Sequence, residues 1–226
     1  MEKGNKNKGV QLVGFWVSPF VHRVKWGMKL KGIEFEYIEE DIFNRSPLLS
    51  QINPVTGKVP VLVHDGNPLP ESSIILEYLD EVWSHAPLLP IDAYQRAQAR
   101  FWSKFADQKV LESAYLSVCS KGEIQEKAVK DAIGHLETLE EELGGRRFFG
   151  GDTIGHVDLM MGFIAYMLPV WEEVAAVTIL DALKFPNLAA WRSNFVDHPA
   201  IKGDLPSKDE VFTYFQWRRE VHLQRI

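Results

Sequence analysis

Five polar residues in the first third of the chain could together bind a small zwitterionic ligand. They are the hydroxyl-bearing Ser18 and Ser72, the cations Arg45 and Lys58, and the carboxylate Glu71. The cations could pair with a carboxylate of the ligand, and Glu71 could pair with its ammonium group. A predicted helix begins next to Glu71 and Ser72, and its free N–H groups would favour an anion. These residue types therefore predict a site for a small charged molecule.

The stretch from Val59 to Leu79 is expected to form a strand, a turn and a helix that position part of this site. Residues 61–63 have strand composition, and turn residues around Gly66 follow them. Residues 71–73 then precede apolar residues at helical spacing, which predicts a helix start. On these residues alone, Ser72 is interpreted as the cap of that helix.

Ser18 stands at the start of another predicted helix. Pro19 follows it, and apolar residues then recur at helical spacing until Gly32. A serine before proline suits the N-cap position, and proline suits the first helical position. From the local pattern alone, Ser18 is interpreted as a helix cap.

The remaining pattern predicts an α/β domain over residues 9–84 and an all-helical domain over residues 93–226. The first eighty residues suggest the order β-α-β-(α)-β-β-α, with strands at Val10–Phe15 and over 33–39. Residues 85–92, HAPLLPID, are predicted to be a linker. The predicted helices of the second domain are Ala93–Cys119, Glu126–Leu143, Val157–Leu168, Pro186–Val196 and Ser207–Val221.

One carboxylate in the second domain needs a structural explanation. Asp158 begins an almost wholly apolar segment, where an unpaired charge would be costly. It follows Gly155, a plausible N-cap, by three residues, so its oxygens could accept N–H groups of its own first turn. We interpret Asp158 as a folding element.

Composition excludes several function classes. The net charge of −6 argues against a nucleic-acid partner, and no apolar run approaches the about 18 residues of a membrane span. The histidines are scattered, so no metal site is predicted. Cys119 is the only cysteine, which fits a reducing compartment and a cytoplasmic location. The short basic start, with Lys3, Lys6 and Lys8, is interpreted as a frayed leader.

The sequence resembles glutathione transferases, closest to the tau class of plants. The matching segments occur in the family's order and spacing and span nearly the whole chain. They are SPFVHRV (18–24), NRSPLL (44–49), NPVTGKVPVLVH (53–64), ESSIILEYLDEVW (71–83), LLP (88–90), RAQARFW (96–102) and FFGGDTIGHVDL (148–159). The resemblance implies a thioredoxin-like N-terminal domain, an all-helical C-terminal domain, a homodimer and a cis peptide bond before Pro60.

The resemblance also implies the activity and the site residues. Conjugation of the glutathione thiolate to small hydrophobic electrophiles is expected, in detoxification and stress response, with a glutathione peroxidase side activity and without a metal or another cofactor. Ser18 resembles the catalytic serine. Arg45 and Lys58 match the glycine-carboxylate site, Val59 the cysteinyl site, and Glu71 with Ser72 the γ-glutamyl site. The electrophile is expected to contact Phe15, Phe20, Leu111, Tyr115, Met167 and Tyr214, with Trp171 and Phe215 nearby.

Three residues depart from the family's pattern. Arg45 stands where lysine is usual, Met167 where many members have an aromatic residue, and Gly155 where a serine or threonine begins the capping motif. The first two bear on substrate preference.

Two other function classes remain open on the sequence. A non-catalytic carrier of amphipathic ligands could use the same apolar pocket. A thiol-disulfide oxidoreductase of this fold would require a cysteine at the position of Ser18, so this alternative is disfavoured. For the homodimer, charges on Glu77, Asp80 and Glu81 are expected to pair with Arg96 and Arg100 across a two-fold axis.

Overall fold

The apolar strands of the N-terminal unit form one four-stranded sheet in the computed structural model, which describes residues 9–224. The strands are β1 (Val10–Gly14), β2 (Glu36–Glu39), β3 (Val61–His64) and β4 (Asn67–Pro70), in the spatial order β2-β1-β3-β4. β1 is parallel to β2 and antiparallel to β3, and β4 is antiparallel to β3. The predicted basic leader, with Lys3, Lys6 and Lys8, lies outside the described residues.

Three helices complete this unit and confirm the predicted α/β fold. They are α1 (Pro19–Leu30), α2 (Pro47–Ile52) and α3 (Ser72–Val82), and α1 packs against α3. One core cluster joins β1, β3 and α2 through Val13, Val61 and Leu49, all buried. β4 contains Pro68 and Pro70, which an edge strand tolerates because one side of its backbone needs no partner.

A buried lysine ties the end of α1 to the segment after α3. The Lys31 ammonium nitrogen lies 2.7 Å from Asp80 Oδ1 and is fully buried. It also donates hydrogen bonds to the carbonyl oxygens of Trp83, His85 and Ala86, at 2.8, 3.0 and 3.1 Å. A buried charge is tolerated only when it is paired and hydrogen-bonded, and Lys31 meets both conditions.

Asp80 also binds the segment that follows α3. Its carboxylate accepts hydrogen bonds from the backbone N–H groups of Leu88 and Leu89 in addition to its contact with Lys31. The chain divides into two compact units after Leu89, so the first half of the predicted linker is bonded to the N-terminal unit. Asp80 is thus engaged inside its own unit, and its predicted part in the dimer contact stays a prediction.

The second unit, from Pro90 onward, is helical, as predicted. Its first part contains α4 (Ala93–Phe105), a π-helical segment (Ala106–Leu111), α5 (Glu112–Cys119) and α6 (Gly122–Leu143). The remainder contains α7 (His156–Tyr166), α8 (Leu168–Ala175), α9 (Pro186–Asp197), α10 (Pro199–Lys202) and α11 (Lys208–Leu223). No helix in the described part of the chain combines the length and apolarity that a bilayer crossing requires.

Several predicted boundaries in this unit are wrong. The segment predicted as one helix from Ala93 to Cys119 is interrupted by the π-helical turns at 106–111. The helix predicted to end at Leu168 ends at Tyr166, and α8 starts at Leu168 with Pro169 in its first turn, where proline needs no N–H partner. α6 begins at Gly122 rather than Glu126.

Asp158 organises the start of α7, which confirms its interpretation as a folding element. One oxygen accepts hydrogen bonds from Phe149 N and Trp191 Nε1, both at 2.8 Å, and the other from Gly150 N and Gly155 N, both at 2.9 Å. Burial raises the pKa of this carboxyl, and the four hydrogen bonds oppose that rise. The Gly155 contact is the predicted one. The other three tie the preceding loop and α9 to the same group.

Candidate functional site

A cleft in the N-terminal unit brings together most of the residues predicted to bind a zwitterion. Its volume is about 140 Å³, and it is lined by Phe20, Asn53, Lys58, Val59, Pro60, Glu71 and Ser72. Four predicted ligand-binding residues are in this set, together with Phe20 from the predicted electrophile site. Ser18 and Arg45 do not line the cleft.

The backbone at Val59 offers both a donor and an acceptor beside the cleft. The Val59–Pro60 peptide bond is cis, as the family resemblance implied. Within residues 9–224, neither the N–H nor the C=O of Val59 has a hydrogen-bond partner. An extended peptide ligand could therefore pair with this residue as a neighbouring strand would.

The start of α3 differs from the sequence interpretation. Ser72 is the first helical residue, and Glu71 occupies the N-cap position with φ 75° and ψ 106°, so the interpretation of Ser72 as the cap is wrong. A positive φ is uncommon for a residue with a side chain and costs on the order of 1–3 kcal/mol. No side chain caps α3. Its first N–H groups, beside the cleft, are therefore available to an anion.

Arg23 is a positioning residue that the sequence analysis missed. It is buried on α1, and its guanidinium donates a 3.4 Å hydrogen bond to Ser72 Oγ. The same guanidinium lies 5.0 Å from the ring centroid of Phe20. Arg23 thus contacts two cleft residues from different elements. Its position among the apolar residues of α1 gave no local signal of this role.

Asn53 is a second missed residue, and it shapes the loop that carries Lys58. Its side-chain amide donates to Thr56 Oγ1 at 2.7 Å and to the Lys58 carbonyl at 2.9 Å. Gly57 in the same loop has φ 60°, and a Cβ there would lie 2.8 Å from an Arg45 guanidinium nitrogen. Arg45 therefore lies against this loop, next to Lys58. The N-P-x-x-G pattern is a turn signal that could have predicted the loop.

Ser18 caps α1, as predicted from its sequence position. Its backbone is extended, and its Oγ accepts a 3.4 Å hydrogen bond from Val21 N. That bond uses a lone pair, and at this length it is weak. In the described part of the chain the Ser18 hydroxyl has no acceptor for its own hydrogen. Capping thus leaves the hydroxyl free to donate to another group.

The predicted electrophile-site residues of the second unit differ in exposure. Leu111 is buried, Met167 is 0% exposed, and Tyr115 and Tyr214 are half-buried. Met167 is thus a packed core residue in this structure. Phe15, in the N-terminal unit, is also buried, 6.1 Å from the ring of Phe43.

Tyr115 belongs to an aromatic and polar cluster with α8 and α11. Its ring centroid lies 5.7 Å from that of Trp171, which lies 5.3 Å from that of Phe215. Its hydroxyl oxygen lies 3.4 Å from His222 Nε2. Burial, followed by the neighbouring Cys119, raises the pKa of Tyr115 to about 12. The Tyr115 phenol is therefore a neutral hydrogen-bonding group at physiological pH.

Comparisons with known protein families agree with this geometry. The family model described as "Glutathione S-transferase, N-terminal domain" matches residues 8–81, and the corresponding C-terminal domain model matches residues 95–199. The chain is 47% identical over 214 residues to "Glutathione transferase GST 23" of Zea mays, covering 94% of this chain and 96% of that protein. It is 46% identical over 209 residues to "Glutathione S-transferase U8" of Arabidopsis thaliana, covering 92% and 93%.

Solved structures give the same result. A tau-class glutathione S-transferase from mango, Mangifera indica, superposes with a TM-score of 0.88 at 35% identity, covering 94% of this chain and 99% of that one. A rice glutathione transferase in complex with glutathione superposes with a TM-score of 0.86 at 38% identity, covering 93% and 96%. With both of its domains matched, this chain belongs to the glutathione transferase family, and tau-class enzymes are among its structural relatives.

Proposed function

We propose that this glutathione transferase binds glutathione in the cleft at the start of α3 and transfers its thiolate to hydrophobic electrophiles. The observation that carries the proposal is the uncapped N-terminus of α3, which opens beside Lys58, Val59, Glu71 and Ser72. Glutathione has a carboxylate at each end, an ammonium group and a peptide backbone between them. Each of these groups has a complementary partner around the cleft.

The binding roles follow the chemistry of each group. The γ-glutamyl carboxylate pairs with the N–H groups and hydroxyl at Ser72, and its ammonium pairs with Glu71. The cysteinyl backbone pairs with the free N–H and C=O of Val59. The glycine carboxylate pairs with Lys58, which the loop fixed by Asn53 carries, and with Arg45, which lies against Gly57 of that loop. These contacts hold the peptide by both ends and by its middle.

Ser18 is proposed to act on the sulfur. Its hydroxyl hydrogen has no acceptor in the described part of the chain, and it stands at the N-terminus of α1. A hydroxyl donor and a helix N-terminus both favour an anion over a neutral thiol. The enzyme then contributes ionisation of the thiol and proximity of the two reactants.

The electrophile site remains a proposal, supported by the family resemblance. It comprises Phe15, Phe20, Leu111, Tyr115, Met167 and Tyr214, of which Phe20 lines the glutathione cleft. Since Met167 is fully packed, its effect on substrate preference would act through its neighbours. The cytoplasmic location is likewise proposed, because Cys119 is the only cysteine in the sequence and fits a reducing compartment.

One assay separates an enzyme from a carrier. Turnover of 1-chloro-2,4-dinitrobenzene is measured with glutathione, without it, and with S-methylglutathione, whose sulfur cannot ionise. We expect product only with glutathione. Binding of the electrophile without any product would favour the carrier alternative and overturn the proposed activity.

Arg45→Ala should weaken glutathione binding and leave the chemical step nearly intact. A charge-assisted contact to a carboxylate contributes roughly 1.5–3 kcal/mol, which Lys58 would partly replace. The expected result is a higher KM for glutathione with little change in kcat, read from steady-state kinetics. Arg45→Lys restores the positive charge but not the planar guanidinium group. Its KM for glutathione should therefore lie between those of the wild type and Arg45→Ala. A large loss of kcat at unchanged KM would refute the binding role.

The homodimer is also proposed, with the predicted contact between Glu77, Asp80 and Glu81 of one protomer and Arg96 and Arg100 of its partner. In a two-fold interface each contact occurs twice, so Glu81→Lys removes two ion pairs from the dimer. It should therefore lower the dimer fraction more than the loss of one surface ion pair would. Light scattering at micromolar concentration should give twice the chain mass for the wild type. A monomeric wild type would contradict the proposal.

A further inference from the structure

A cavity in the second unit lies apart from every residue assigned above to glutathione or to the electrophile. Its volume is about 310 Å³, within the range of about 300–1,000 Å³ that is typical of small-molecule sites. Its walls are formed by α4, the end of α6, the segment after α6 and the start of α7. The lining residues are Pro90, Tyr94, Gln95, Gln98, Ala99, Trp102, Glu142, Arg146, Phe149, Gly150, Gly151 and Val157. We infer that this cavity is a second ligand site, specific for uncharged planar aromatic molecules that carry carbonyl or hydroxyl groups.

Aromatic rings give the cavity its preference for a flat ligand. Trp102 is half-buried, and the rings of Phe101 and Phe105 pack edge-on against it at 5.1 and 5.6 Å. These contacts hold the indole ring in one orientation. Tyr94, two turns earlier on the same helix, is 72% exposed although it lines the cavity. A planar ligand stacked on these rings would cover apolar surface that now faces solvent.

The charged groups of the cavity are already neutralised. Arg146 forms an ion pair with Glu142 at 2.8 Å. Its Nε donates to the Leu143 carbonyl at 3.0 Å and another of its nitrogens to the Phe149 carbonyl at 3.4 Å. This guanidinium therefore satisfies the C-terminus of α6, and a charged ligand would lose its hydration without gaining a free counter-ion. The cavity thus favours an uncharged ligand.

Two carboxamides supply polar recognition. Gln95 and Gln98 are exposed on α4, and within residues 9–224 their side chains have no hydrogen-bond partner. Each carboxamide offers two donor hydrogens and an acceptor oxygen, which match both carbonyl and hydroxyl groups. Together with the rings, they can orient a flat molecule along α4.

The wall opposite α4 is fixed before any ligand arrives. The N–H groups of Phe149 and Gly150 donate to the buried Asp158 carboxylate, and Phe148 and Gly151 exchange two backbone hydrogen bonds. A Cβ at Gly150 would lie 2.6 Å from the Thr153 carbonyl oxygen, so this turn is tightly packed. A preformed wall lowers the ordering cost of binding.

The test uses the full chain and the neutral fluorescent probe 7-methoxycoumarin. The protein is first saturated with S-hexylglutathione, which occupies the glutathione and electrophile sites, and the probe is then titrated. We expect one probe per chain that S-hexylglutathione does not displace. Gln98→Ala should lower the affinity for the probe about three- to tenfold, and Trp102→Leu should lower it more than about tenfold. Coumarin-3-carboxylate should bind more weakly than the neutral probe.

The matched control is Gln108→Ala, which removes an exposed glutamine outside the cavity and should leave probe affinity unchanged. Gln98 is exposed, so its variant decides the question even if Trp102→Leu fails to fold. One-for-one displacement by S-hexylglutathione, or equal affinity in Gln98→Ala and wild type, would overturn the inference. Probe binding that changes the particle mass in light scattering would also overturn it, because the cavity would then lie between two copies. Turnover of 1-chloro-2,4-dinitrobenzene, measured separately, tests the proposed transferase function without bearing on this site.

Discussion

Replacing Ser18 with alanine is expected to reduce conjugation strongly at neutral pH and to restore part of it at high pH. A free thiol with a pKa near 8.5 is only about 3% ionised at pH 7. A depression of about two units would make it roughly three-quarters ionised, for about 2.7 kcal/mol of differential stabilisation. Losing that stabilisation should lower kcat/KM at pH 7 by about 25-fold. The deficit should close as the pH rises through the pKa of the free thiol.

The measurement is the pH profile of kcat/KM for wild type and Ser18→Ala, with glutathione affinity determined separately. Affinity should hold, because the peptide's binding groups lie at Arg45, Lys58, Glu71 and Ser72. Losing a helix cap costs about 1 kcal/mol of stability, so a second cap serves as the control. Asp92 caps α4, and its Oδ1 accepts a 2.9 Å hydrogen bond from Gln95 N. Asp92→Ala removes this cap and should leave the pH profile of kcat/KM unchanged. A Ser18→Ala profile with the wild-type apparent pKa and rate would reduce Ser18 to a cap.

Asp158→Ala should produce the largest loss of stability. It removes the acceptor of four hydrogen bonds at once and leaves three backbone N–H groups and the Trp191 indole N–H without it. Each buried unsatisfied donor costs about 1–3 kcal/mol, so the sum is at least about 4 kcal/mol. The total free energy of unfolding of a typical domain is about 5–15 kcal/mol. We therefore expect an unfolded or barely folded second unit, measured by urea denaturation with tryptophan fluorescence.

Two variants make this result specific. Asp158→Asn keeps the shape and one acceptor oxygen, so it should destabilise less than alanine does. Asp152→Ala removes an exposed carboxylate from the same loop and should change stability by no more than about 0.5 kcal/mol. Equal unfolding midpoints for Asp158→Ala and Asp152→Ala would show that the buried network contributes nothing measurable.

Local patterns predicted most of the elements and three of the residues that line the cleft, Lys58, Glu71 and Ser72, whereas Val59 and Phe20 were predicted from the family resemblance. Turn residues, periodicity and caps are short-range signals, so β3, β4, α3 and the cap at Ser18 followed from a few neighbouring residues. Lys58, Val59, Glu71 and Ser72 lie within fifteen positions of one another, and the strand-turn-helix unit brings them together. The structural role of Asp158 was also predictable, because a carboxylate in an apolar segment requires a hydrogen-bonding partner.

Long-range contacts were not predictable in this way. Arg23 reaches Ser72 across 49 positions, and neither neighbourhood indicates the other. The role of Glu71 as N-cap depends on a backbone angle that its side chain does not favour, so the serine beside it was the natural assignment. The family resemblance placed Met167 at the electrophile site, yet its side chain is 0% exposed. Burial depends on tertiary packing, which spacing along the chain does not encode.

The enclosure of Lys31 gives the N-terminal unit an intrinsic reporter of its own opening. Its amine is fully buried against Asp80 and three carbonyl oxygens, so an amine-directed acylating reagent cannot reach it while the unit is folded. Exposed amines such as Lys29 would be modified at once, and a Lys58→Arg background keeps the charge proposed to bind glutathione while it removes the amine that the reagent would acylate. The slow labelling of Lys31, followed by mass spectrometry of the peptides, therefore times the opening of this unit. Glutathione should slow that labelling in proportion to its occupancy, because a ligand that binds only the folded state suppresses opening.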